Sequence, residues 1–156
     1  MFAALRNRSL LPFSIIWLLA GPALAKTTVI DDSGTLPNNA ALNMHWQQLS
    51  PRGPDANIMV GTLGLRVKLN VAPWQKRSGR IFLALPAQAP GPMTVTWTTQ
   101  GRLLPGRVVS GGRTLVYAGP ISGPFIEDMV QLTISLDGRR LQQLYHINFR
   151  FEMDED

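Results

Sequence analysis

The stretch Leu63-Gly64-Leu65-Arg66-Val67-Lys68-Leu69-Asn70-Val71 alternates without a break. Its odd positions are leucine or valine; its even positions are glycine, a cation or an amide. A period of two sends successive side chains to opposite faces of an extended chain, so these residues predict a strand with one buried face. Pro73 ends it, since proline cannot donate to a ladder. Working outward, Met93, Val95 and Trp97 alternate with Thr94, Thr96 and Thr98. Val130, Leu132, Ile134 and Leu136 alternate with Gln131, Thr133 and Ser135. Arg80 to Leu85 and Arg113 to Ala118 predict shorter strands, the first stopped by Pro86 and the second framed by Gly111-Gly112 and Gly119-Pro120. Leu42, Met44 and Trp46 predict another. Asp137-Gly138 predicts a tight hairpin turn. Beyond it Tyr145, Ile147, Phe149 and Phe151 alternate with His146, Asn148, Arg150 and Glu152.

No window of helical length carries a convincing 3.6-residue apolar period. Fourteen glycines and twelve prolines among 156 residues point the same way, to short elements joined by turns. Hydrophobic residues make up 45% and charged residues 16%, enough apolar material for one core. The expected fold is therefore all-β, an antiparallel β-sandwich of immunoglobulin-like type, with a small barrel as the alternative.

The chain has no cysteine, which excludes disulfides, thiol nucleophiles, thiolate zinc sites and iron–sulfur clusters. Two histidines, His45 and His146, are too few for a histidine-rich metal site. Residues 1–25 are expected to be a secretory signal peptide: Arg6 and Arg8, an apolar run from Leu10 to Ala20, then Ala23-Leu24-Ala25 before Lys26. That run is shorter than the ~20 residues a membrane-spanning helix needs, so no transmembrane anchor is expected after cleavage. Without Arg6 and Arg8, thirteen basic residues face ten acids, a mild +3. The cations are scattered along strands rather than clustered, so nucleic acid is not an expected partner. Residues 26–38 read as an N-terminal extension and 39–156 as the β-sandwich domain.

The two ends of that mature chain carry the functional signal. In the extension Thr28, Ile30, Gly34 and Leu36 share a face in one register, and a flexible segment of this kind can add itself as a strand to a neighbouring molecule. At the far end Gly138 lies 13 residues before Phe151, and the strand between carries Tyr145, Ile147 and Phe149. Asp154-Glu155-Asp156 reads as a solvated tail. Signal peptide, extension, all-β body and a final alternating aromatic strand together resemble the subunits of chaperone–usher fimbriae. The match at residue level covers Lys26–Leu36 and Gly138–Phe151. The chain departs from the family pattern in lacking a penultimate tyrosine and a cysteine pair.

The resemblance implies an incomplete sandwich finished by donor-strand complementation. Thr28, Ile30, Gly34 and Leu36 would be the donor residues. Gly138, Tyr145, Ile147, Phe149 and Phe151 would mark the strand that pairs with a chaperone or neighbour. It further implies export through the periplasm to a surface fimbrium, with a periplasmic fimbrial chaperone, an outer-membrane usher and neighbouring pilus subunits as partners. No cofactor or metal is called for, and no enzyme is expected, since nucleophile-elbow, zinc-protease and phosphate-loop patterns are all missing. Glu127-Asp128 reads as a strand start rather than an acid–base pair, because neighbours on a strand face opposite ways. Among the tryptophans, Trp97 reads as core and Trp74, after Pro73, as the exposed contact for a host glycan or protein. The competing reading is a self-contained periplasmic or surface β-sandwich that binds a carbohydrate or protein.

Overall fold

The computed structural model describes residues 26–38, 42–50, 52–87, 92–139 and 147–155. The residues assigned to a signal peptide, and Tyr145 and His146, lie outside them. The described residues form ten strands: β1 (Thr27–Val29), β2 (Leu36–Pro37), β3 (Asn43–Trp46), β4 (Ile58–Asn70), β5 (Ser78–Leu85), β6 (Met93–Thr99), β7 (Gly106–Val109), β8 (Gly112–Pro120), β9 (Phe125–Asp137) and β10 (Arg150–Glu155). Among these residues no helix is long and apolar enough to cross a membrane.

The strands lie in two antiparallel sheets, one ordered β1-β10-β5-β8 and the other β2-β4-β9-β6-β7, with β3 also on β4. The stretch quoted at the outset is the second half of β4, which pairs over its whole length with β9, from Ile58 opposite Asp137 to Asn70 opposite Phe125. Both strands send alternate apolar side chains inward. Val67, Leu69 and Val71 join Ile126, Ile134, Val95 and Trp97 from their own sheet and Ile81, Leu83 and Met153 from the other in one core. Burial of these faces holds the two layers together.

Six places of the sheet order match those of an immunoglobulin sandwich, with β7 and β8 added at the outer edges. β2 or β3, then β4, β9 and β6, take the places of the A, B, E and D strands; β5 and β10 take those of C and F. The place beside F belongs in such folds to the strand that follows it. Here β1, the first strand among the described residues, runs there antiparallel to β10.

Two sequence expectations about this region are corrected. Asp137-Gly138 does not close a hairpin, because β9 and β10 belong to different sheets and do not pair. Gly138 instead donates its N–H to Asn57 O at 2.7 Å and lies against β3. A side chain there would meet Trp46 and Met59 at 2.6–2.7 Å, so a close approach explains the glycine. Of the alternating run before Phe151, the described residues 147–149 are not strand and β10 starts at Arg150; Ile147 and Phe149 pack against the core from the approach to it.

Candidate functional site

The strand β10 has an unusual composition for an interior strand: Arg-Phe-Glu-Met-Asp-Glu. Phe151 and Met153 point into the core, Met153 with no exposure at all. Glu152 and Asp154 fall on the outer face, yet both are buried. A buried carboxylate is costly unless it is paired and hydrogen-bonded, and both are. Arg113 crosses from β8 over the Phe82 ring, its guanidinium carbon 4.3 Å from the ring centre. It donates two hydrogen bonds of 3.0 Å to the two oxygens of Asp154, and approaches Glu152 at 3.6 Å. Arg150 donates to Glu152 at 2.7 Å.

This network ends on β1. The Thr27 hydroxyl donates to Asp154 Oδ1 at 2.7 Å. Thr27, Thr28 and Val29 stand opposite Asp154, Met153 and Glu152. Backbone bonds at either end complete the seat, from Ile30 N–H to Phe151 O at 2.8 Å and from Glu155 N–H to Lys26 O at 3.3 Å. Ile30 is buried in the core while Val29 faces solvent. Arg113 first, and the Thr27 hydroxyl second, hold the Asp154 carboxyl below its usual range, because both stabilise its ionised form.

The groove expected to stand open is thus closed within the chain by residues 27–30. The extension is also not a single ribbon, which corrects the grouping of Thr28, Ile30, Gly34 and Leu36 on one face. Thr28 and Ile30 serve β10. Then Asp31 bridges to Asn70 on the other sheet, its side chain accepts from Ser33 N–H, and a turn closes with Thr35 N–H on Asp32 O. Gly34 sits in that turn against the Lys68 side chain. Leu36 emerges as β2, paired with Arg66 at the edge of the second sheet and largely exposed. Turn chemistry at Asp31 to Thr35 overrides the period-two reading.

Trp74 also differs from expectation. It is buried, because the 3-10 turn Ala72–Trp74 folds the indole under the end of β10. Its Nε1–H donates to Glu155 at 3.0 Å, and Glu155 pairs with Arg77 at 3.2 Å. Asp154 and Glu155, read as part of a solvated tail, are therefore anchors of β10, and Asp156 lies outside the described residues. Trp97 is core as expected, donating to Leu104 O at 2.9 Å, and among the described tryptophans the half-exposed one is Trp46. The adjacent pair Glu127 and Asp128 does split across the strand: Glu127 meets Lys68 outside at 3.0 Å. Asp128 accepts the Gln100 and Leu103 N–H groups of the loop after β6.

Elsewhere, His45, Gln47, Thr94, Thr96, Thr133 and Ser135 line an open groove of about 400 Å³ on the outer face of the second sheet. Among the described residues no cluster of three or more His, Asp or Glu could hold a metal ion.

Fold and site together define an all-β, immunoglobulin-like sandwich in which the place beside β10 is filled by β1. Comparison with protein-family models, with curated proteins and with solved structures finds nothing that matches this chain.

Proposed function

We propose that this protein is a structural subunit of a surface fimbria of the chaperone–usher type, assembled by exchange of the strand beside β10. One observation carries the reading: the place that the fold reserves for the strand after β10 holds Thr27–Val29 instead. The same contacts can form between two copies, because a segment from a neighbour would meet the same backbone, the same Asp154 and the same core. β1 also makes only three residue pairs, against thirteen between β4 and β9, so it is the less firmly held strand. On this reading a periplasmic chaperone guards the seat, an usher delivers the neighbour's segment, and the extension of each subunit ends on the β10 of the next.

The absence of native cysteine makes the test clean. Val29 and Glu152 stand opposite each other, within the reach of a disulfide. Oxidised V29C/E152C protein taken from the cell surface should run as a ladder of covalently joined subunits. Monomer alone, internally bridged, would overturn the fimbrial reading.

That second result would favour the self-contained sandwich, which the closure in cis supports. Its ligand site would then be the groove at His45 and Gln47, whose amide and hydroxyl side chains from Gln47, Thr94, Thr96, Thr133 and Ser135 suit a carbohydrate.

A further inference from the structure

Main-chain pairing is nearly blind to sequence, so a strand seat must obtain its register and its choice of occupant from side chains. The inward face supplies a single large anchor. Thr28 is small and half-buried, and only Ile30 fills the core. A slip of the segment by two residues would keep every side chain on its present face. The outer face is different. At Asp154 the occupant meets a buried carboxylate already gripped from the other side by Arg113, and it contributes a short hydroxyl bond to that charged group. A two-residue slip in one direction puts Val29 opposite Asp154 and replaces that donor by an apolar group.

We propose that Asp154 selects the segment seated beside β10. The occupant is the Lys26–Ile30 segment of a second copy of this chain, and it is accepted because it presents a hydroxyl opposite Asp154 with a large aliphatic side chain three residues later. Segments with an apolar or acidic residue at the first of these positions are rejected, the acidic one because it would place like charges together at a buried site. Arg113 acts as the positioning residue, holding the carboxylate toward the occupant from across β5. This inference rests on the strand-exchange reading for the identity of the occupant, while the selectivity belongs to the seat itself.

The test uses the mature chain with Thr27→Ser, Thr27→Val and Asp154→Asn, and a labelled synthetic peptide of residues 26–36 as probe. Thr27→Val should speed amide exchange at Ile30 and Glu155 and raise uptake of the wild-type peptide into the vacated seat, each about tenfold, the effect of losing one hydrogen bond to a charged group. Thr27→Ser should restore wild-type behaviour, which a merely local packing role for the threonine methyl would not. In the Asp154→Asn background, where an uncharged amide oxygen still accepts the hydroxyl, the difference between threonine and valine should shrink to about threefold. Equal uptake of the wild-type peptide and its Thr27→Val version, or a Thr27→Val effect that persists undiminished in Asp154→Asn, overturns the proposal. These readouts are taken on monomers, so they separate from the disulfide ladder. A ladder without hydroxyl selectivity removes this inference alone, and selectivity without a ladder removes the fimbrial reading together with the second copy as occupant, leaving the seat's own selectivity.

Discussion

At Asp154 two arginine hydrogen bonds and one hydroxyl meet a single buried carboxylate. Arg113 on β8 and Arg80 on β5 face it as cations, and Glu152 lies two residues away on its own strand. Because its folded pKa lies below the ordinary 3.8, its stabilisation is fully present above that value and is lost as pH falls through the depressed folded value. Denaturant midpoints should therefore hold from neutral pH down to about 5 and fall below about 4; Asp154→Asn should be less stable at neutrality and show a shallower acid limb. A steeper limb in Asp154→Asn would contradict this assignment. A second residue-scale expectation concerns Gly106. A Cβ there would meet Trp97 at 2.8 Å and Thr114 at 3.2 Å, and Trp97 is pinned by its bond to Leu104. Gly106→Ala should cost about 1–3 kcal/mol by overpacking, read as a lower denaturant midpoint at unchanged slope.

At the scale of elements, β10 is an interior strand held on both sides, by β1 and by β5. Met153→Ala should lose about 2–5 kcal/mol, whereas Val29→Ala on the exposed face of β1 should stay within about 0.5 kcal/mol, both measured by equilibrium unfolding. What the sequence discloses divides along this line. β4, β6 and β9 are legible because each buries one face, and burial writes a period of two into the residues. The short edge strand β7 carries too few residues to establish a period. Asp137-Gly138 misleads because turn chemistry is local, whereas the choice of sheet for the following strand depends on packing across the whole domain. The acids of β10 mislead for a similar reason. Arg113 lies 41 residues from Asp154 in sequence, so nothing nearby distinguishes a paired carboxylate from a solvated one. Trp74 belongs to the same class, its partner Glu155 being 81 residues away.

For the molecule as a whole, the two sheets share one core, and the seat beside β10 joins the extreme ends of the described domain. Thr27 and Asp154 are 127 positions apart. A ribosome adds roughly 5–20 residues each second, so Thr27 exists for about 6–25 s before its partner is made. Throughout that interval β1 has no β10 to pair with, so the seat is among the last contacts of the domain to form.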